Sequence, residues 1–339
     1  MKTSSKRKLW LSTVVLALSL SAVFTRAVSA ADKFVTIISA RVLAQAMPWI
    51  AQAAGLFQKY NLDHQLVYIP SSAIVTAAML GGDADISLTG GVGNVRAYLQ
   101  GATDLVFAGG VKNIMTQSIV AGGAIRKPED LKKKRIGISR IGSNTEYFTI
   151  QALRRFGLEP IRDYSFIQTG GDPESLAALL SHGIEVATMA VPTNAMAVAQ
   201  GYRYVVYGPD LRIPYAATSF VTLRSIIAKR PHVVGAFFRV MAEAAKILHT
   251  DKEFTYKVLA KELRVNDRKV LDASYNTEIK VLQPRLVLQP EALQAILDEV
   301  AQIDPRAKKV KPQDLMDLRY IDEMEKSGFF DKLYRGKDS

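Results

Sequence analysis

The sequence predicts an α/β fold of two similarly built lobes followed by a helical C-terminal region, and three observations carry that expectation. From Lys33 to about Gly208, short β-rich runs alternate with amphipathic helical stretches, the pattern of a layered α/β protein. One unit (strand, Ser/Gly loop, helix, glycine with an acidic residue, strand) occurs twice, over residues 66–91 and 164–192. From Pro231 onward the strand patterns stop and charged amphipathic helices follow.

In order, strands are expected at Phe34–Ser39, Leu66–Ile69, Asp85–Thr89, Leu105–Ala108, Ser118–Ala121, Arg135–Ser139, Ser165–Gln168, Ala187–Val191 and Tyr204–Tyr207. The helices between them are Pro48–Tyr60, Ser72–Leu80, Gly93–Leu99, Asn144–Phe156, Pro173–Leu180 and Asn194–Gln200. Ser143 and Glu146 have capping-box spacing before the fourth of these. Asp172 and Pro173 supply a cap and a first-turn proline for the fifth. The closing helices are Pro231–His249, Lys252–Lys261, Asp267–Thr277, Pro290–Ala301 and Leu315–Ser327. Gly122-Gly123 and the Gly208–Pro214 segment are the candidate crossings between lobes.

Ahead of these elements lies an address. Met1–Lys8 is basic, Leu9–Phe24 is an apolar run of 16 residues, and Val28-Ser29-Ala30 offers small residues for cleavage. That is the three-part layout of a secretory signal, and the run is shorter than the roughly 20 residues a membrane span needs. A chain starting near Ala31, outside the cytoplasm and not embedded in a membrane, is expected.

Composition narrows the function. The 339 residues carry a formal charge of +12, and the five basic residues of the first thirty account for part of it. The rest is mildly basic without a stripe or tail, so no nucleic-acid partner is expected. Cysteine is absent, which excludes disulfides, thiolate catalysis and Cys-ligated metals. His64, His182, His232 and His249 stand apart, without metal-ligand spacing. Gly90-Gly91-Val92-Gly93 fails as a dinucleotide fingerprint because Arg96 replaces the third glycine, and Gly137–Gly142 has one residue too many for a nucleophile elbow. No nucleophile and base pair stands out, so a binding protein is expected rather than an enzyme, with no metal or organic cofactor.

The candidate binding residues are small polar groups where strands feed helices, because such a junction aims free N–H groups and the positive dipole end at one point. Ser71 and Ser72 precede one helix, and Ser139 with Gly142, Ser143, Asn144 and Thr145 precedes another. Gly170, Gly171 and Asp172 open a third, and Gly90 and Gly91 do so more loosely. Each also reads as ordinary helix capping; the repetition at strand ends in both lobes points to a ligand between them. Arg41 follows the first strand directly and either clamps an oxyanion or pairs with a neighbouring carboxylate. Trp49 fits the core as well as a cleft, and Gln45, Thr169 and Asn194 are further polar candidates.

Beyond these local readings, an ensemble of segments is familiar. It comprises Pro48-Trp49 in the first helix, Ala-Gly-Leu-Phe-x-Lys-Tyr over 54–60, Gly82-Asp83-Ala84-Asp85, Lys127–Lys132 followed by Lys134-Arg135-Ile136-Gly137, Leu158-Glu159-Pro160, Pro192 and Glu325–Phe329. Together with the export signal they resemble, over about residues 33–330, the solute-binding proteins of ABC importers. The branch is the NMT1/THI5-like one, which includes sulfonate-, taurine- and nitrate-binding proteins. The resemblance implies a two-lobed type II periplasmic binding protein fold with two crossovers, the C-terminal helices packing on lobe one. Lobe one would be residues 31–121 and 218–339, and lobe two 122–217. It places Arg41, Ser71, Ser72, Gly90, Gly91, Ser139, Gly142–Thr145, Gly170, Gly171, Val191 and Pro192 at the cleft. It also implies a small organic, anionic cargo, hinge closure, an inner-membrane ABC permease as partner, and a monomer. A receptor presenting its ligand to a sensor kinase and a secreted enzyme acting on a small heterocycle share this fold and remain alternatives.

Overall fold

The structure, a computed structural model, describes residues 31–335; the expected export signal over residues 1–30 lies outside the described residues. Ten strands form two five-stranded sheets. The first contains β1 (Asp32–Ile38), β2 (Leu62–Tyr68), β3 (Ile86–Thr89), β4 (Leu105–Ile114) and β10 (Pro214–Leu223), in the order β2-β1-β3-β10-β4. The second contains β5 (Ser118–Ala121), β6 (Arg135–Ile138), β7 (Ser165–Gln168), β8 (Val186–Met189) and β9 (Arg203–Val206), in the order β7-β6-β8-β5-β9. In each sheet three parallel strands are followed by one antiparallel strand and then an edge strand. The unit repeated in the sequence is therefore β2, the helix Ser72–Gly81 and β3 in one sheet, and β7, the helix Asp172–Leu180 and β8 in the other. The inner strands β3 and β8 are buried along their whole length, which is why they read as unbroken apolar and small-residue runs rather than alternating ones.

Two crossings join the sheets. The chain leaves the first sheet after Ile114 and enters the second at Ser118; it returns between Val206 and Pro214. The second crossing is where the sequence placed it. The first is not: Gly122-Gly123 follows β5, and the crossing is the polar segment Met115-Thr116-Gln117. Consequently β5, expected to end lobe one, pairs with β8 and β9 of the second sheet. β10, expected to be divided at residue 217, pairs along its length with β3 and β4 of the first. Pro214–Leu223 is a strand that the sequence reading missed, since its nearly continuous burial removes the alternation that marks a half-exposed strand. The expected helix Pro48–Tyr60 is two, Met47–Ala53 and Leu56–Lys59, broken where Gly55 adopts φ 68°, a left-handed conformation that glycine takes at little cost.

The C-terminal helices cover the first sheet. Phe237 and Phe238 of the helix Pro231–Thr250 are fully buried, Phe237 stacking on Phe34 of β1 with ring centroids 4.8 Å apart and Phe238 meeting Phe220 of β10 edge-on. On the same layer, the His64 ring stacks on Phe57 at 3.6 Å and its Nε2 lies 3.0 Å from Thr36 Oγ1. Burial pushes the His64 imidazole down to about 4. A depressed imidazole contributes stability that is complete above its unfolded value near 6.5 and is lost as pH falls through about 4. Substituting His64→Gln is expected to flatten the stability profile between pH 7 and pH 4 by about 2 kcal/mol; chemical denaturation at each pH reads it, and an unchanged slope would remove His64 as its source.

Candidate functional site

The carboxyl ends of the parallel strands of both sheets converge on one small cavity. Its wall takes Ser39, Ala40, Arg41, Val42 and Gln45 from the segment after β1, and Tyr68, Ser71 and Ser72 from the end of β2 and the loop after it. Ser139, Asn144 and Thr145 come from the turn after β6, Gly171, Asp172 and Pro173 from the turn after β7, and Ala190 from the end of β8. Lys112 of β4, Gln117 of the first crossing, and Ala217 and Thr218 of β10 complete it. Open α/β sheets place ligands at this end of their strands. The cavity measures about 50 Å³, and a single water needs roughly 10–15 Å³, so it suits a compact polar group.

Several wall groups are poised rather than satisfied. Ser71 is 4% exposed, sits at φ 79° and ψ 125°, and its Oγ has no hydrogen-bond partner. A non-glycine residue in that region of backbone space carries strain of order 1–3 kcal/mol, and the strained serine opens the helix Ser72–Gly81 without capping it. Gln117, 6% exposed, holds a buried Oε1 that also lacks a donor. Arg41 forms no ion pair among the described residues; its guanidinium lies 5.6 Å from the Tyr68 ring centroid. Lys112 is buried, its Nζ donating to Glu278 Oε2 and Thr116 Oγ1 at 2.8 Å each, while Thr116 Oγ1 also donates to Glu278 Oε1. Asp172 accepts a hydrogen bond from the Ala190 N–H at 2.9 Å, and burial pushes its carboxyl up to about 6. Burial and the negative charges of Glu174 and Asp172 push the Tyr68 phenol up to about 12.

Of the residues expected at the site, Arg41, Gln45, Ser71, Ser72, Ser139, Asn144, Thr145, Gly171 and Asp172 meet at this wall. Gln45 is occupied in shaping it, for its Oε1 accepts from the N–H groups of Ser39 and Ala40 and its Nε2 donates to Ser39 Oγ. Asp172 is the first helical residue rather than the cap, which is Gly171. The others are not part of this wall. Trp49 is core, buried beneath the C-terminal helices. Gly91 packs on Ile296, and Gly142, at φ 80°, donates its N–H to Glu146 Oε2. Ser143 caps the helix Asn144–Arg154 by accepting from the Glu146 N–H. Gly170, at φ 110°, donates to the Ser139 carbonyl, while Thr169 Oγ1 donates to the Ile138 carbonyl. Val191 is buried, joined by a cis peptide bond to Pro192, which faces an adjoining groove of about 320 Å³. Asn194 donates to the Met189 carbonyl and is buried. Of the polar wall residues, sequence reasoning missed Ser39, Tyr68, Lys112, Gln117 and Thr218; the legible clue was Lys112, a lone charge inside an apolar strand.

The NMT1/THI5 like family model matches residues 45–253. The chain belongs to this family. Its fold is the two-lobed periplasmic binding protein fold, and solved structures share it across most of their length. A protein from Bordetella bronchiseptica RB50 is 18% identical with TM-score 0.77, covering 87% of this chain and 98% of its own. The alkanesulfonate-binding protein SsuA from Xanthomonas axonopodis pv. citri, bound to MOPS, is 20% identical with TM-score 0.69 over 84% of this chain and 95% of that one. The periplasmic nitrate-binding protein NrtA from Synechocystis PCC 6803 is 14% identical with TM-score 0.72 over 88% and 89%. No curated protein sequence matches the chain.

In this family member the two sheets are tied together at the edge of the cavity. The Asn144 side chain, next to the second sheet, donates to the Ala217 carbonyl of β10 at 2.9 Å and accepts from Tyr215 OH at 2.8 Å. Its backbone N–H points to Ser72 Oγ at 3.3 Å. Gly90 leaves the room for this amide, because a Cβ there would lie 1.7 Å from Asn144 Oδ1. The variant Gly90→Ala is expected to displace Asn144 and forfeit two side-chain hydrogen bonds, lowering stability by about 1–3 kcal/mol. Urea unfolding measures it; wild-type stability would mean that the amide re-forms both bonds elsewhere.

Proposed function

We propose that this chain is an extracytoplasmic receptor of an ABC importer that encloses a small organic molecule bearing an anionic group between its lobes and delivers it to a membrane permease. The observation that carries the reading is the strained Ser71 with its unpartnered hydroxyl, set beside Arg41, which forms no ion pair among the described residues, in the cavity where both sheets' strand ends meet. Strain and orphaned polar atoms that the fold does not use are explained by a ligand that does. Sheet membership supports lobes of residues 32–114 with 214–335, and 118–206, hinged at the two crossings. The ligand shifts the protein toward closure because it touches both lobes only when they approach. Export fits the leader-like first thirty residues and the absence, among the described residues, of a helix long and apolar enough to cross a membrane. The chain has no cysteine for thiol chemistry, and the cavity wall presents no nucleophile with an adjacent base.

The test is thermal unfolding of the purified protein against alkyl sulfonates, nitrate, aliphatic and aromatic carboxylates, and neutral pyrimidines. A ligand at 100 times its dissociation constant adds about 2.7 kcal/mol, a clear rise in midpoint. A rise with organic anions supports the reading. A rise with neutral rings alone would overturn its anionic part, and no rise with any compound would count against a small-solute receptor.

A further inference from the structure

The far end of the second sheet carries a corner whose composition the fold does not explain. β6 and β7 run from it toward the cavity, so it lies at the opposite end of those strands from Ser139 and Gly171. The segment before β6 and the turn before β7 are tied together there: the Lys133 N–H donates to the Asp163 carbonyl and the Ser165 N–H to the Lys134 carbonyl. The Arg162 guanidinium donates to the Gly157 carbonyl at 2.8 Å, which brings the end of the helix Asn144–Arg154 to the same corner. Ile161 protrudes from the turn, 96% exposed, and Phe156, next to Gly157, is 40% exposed. Ile161 also takes φ 70°, a region that a β-branched side chain rarely enters. Single exposed apolar side chains are ordinary, but these two stand among cations. Residues 126–135 hold six basic residues and two acidic ones. Lys134 pairs with Glu185 and Arg162 with Asp163, while Lys132 and Lys133 are exposed and form no ion pair among the described residues.

We infer that this corner docks on an anionic lipid surface, with Ile161 and Phe156 entering the headgroup layer and Lys132 and Lys133 meeting lipid phosphates. Membrane-surface binding grows with the apolar area inserted and with the attraction of basic side chains to anionic lipids, and the corner offers both. A bilayer fits it better than an acidic protein because its apolar side chains protrude from a turn and a helix end instead of lining a groove. Docking by this end keeps the cavity, at the other end of β6 and β7, clear of the bilayer. The inference goes beyond the receptor reading and does not depend on it.

Sedimentation with vesicles tests it, comparing phosphatidylcholine alone with phosphatidylcholine containing phosphatidylglycerol. The purified protein is expected to partition onto the anionic vesicles about tenfold or more over the neutral ones. Lys132→Gln combined with Lys133→Gln should lower that partition about 30-fold, roughly fivefold for each lysine. Ile161→Gly should lower it about fivefold through lost apolar insertion. Because glycine adopts φ 70° freely, that variant is expected to keep or exceed the wild-type urea midpoint, so its loss is not one of folding. Equal partition onto the two vesicle types overturns the inference. So do partition onto neither and partition that responds to the lysines but not to Ile161→Gly, and both of these results assign the corner to an acidic protein surface.

Discussion

Replacing Glu278 with alanine is expected to cost about 3–5 kcal/mol of folding stability, because it strands a buried cation. Glu278 sits on the apolar face of the helix Arg268–Glu278, in line with Val270, Leu271, Ser274 and Tyr275. Its side chain and that of Lys112 are 2% and 4% exposed, with Nζ and Oε2 2.8 Å apart. Removing either partner leaves the other charge desolvated, whereas replacing both by apolar groups of similar volume is often neutral or stabilising. Lys112→Met combined with Glu278→Leu is therefore expected to regain most of what Glu278→Ala loses. Denaturant midpoints of the single and double variants measure this; a single variant within 1 kcal/mol of wild type would show that the site relaxes around the lone charge. The pair also anchors a C-terminal helix to the β4 strand that lines the cavity, so the single variant is expected to bind ligand more weakly as well.

The second large effect is on affinity alone. Arg41→Ala is expected to weaken an anionic ligand by about 1.5–3 kcal/mol, the range for hydrogen bonds to charged groups, or a 10- to 150-fold rise in Kd. Because Arg41 forms no ion pair among the described residues, the unliganded variant should keep wild-type stability within about 0.5 kcal/mol. Titration and unfolding of the same preparation separate the two. A loss of stability with unchanged affinity would give Arg41 the structural role that the sequence left open.

The duplicated unit made the architecture legible, since strand, loop, helix and strand recur once in each sheet. What hid the rest was burial. Pro214–Leu223 lies nearly wholly inside the first sheet and shows no alternation, so nothing in its pattern marks the strand that returns to that sheet. Gly122-Gly123, expected at the first crossing, follow β5. The chain instead crosses on Thr116 and Gln117, whose side chains serve the Lys112–Glu278 pair and the cavity. Strand-end serines and Arg41 were legible because their types and positions follow from helix capping and anion chemistry. Lys112 and Gln117 come from a strand and a crossing distant in sequence from those loops, and only the folded chain brings them to the wall. Ser71 is legible as a strand-end serine, but its positive φ is not.

That residue offers the most direct test. Ser71→Gly removes the hydroxyl and also relieves the φ of 79°, a conformation glycine adopts freely. Paired measurement of urea stability and ligand affinity, using the compound with the largest thermal shift, should separate fold from function. If the strain is maintained for binding, the variant keeps or exceeds wild-type stability while its affinity falls about fivefold or more, the worth of one hydrogen bond near 1 kcal/mol. Wild-type affinity in a stable Ser71→Gly protein would contradict the assignment of this cavity as the ligand site.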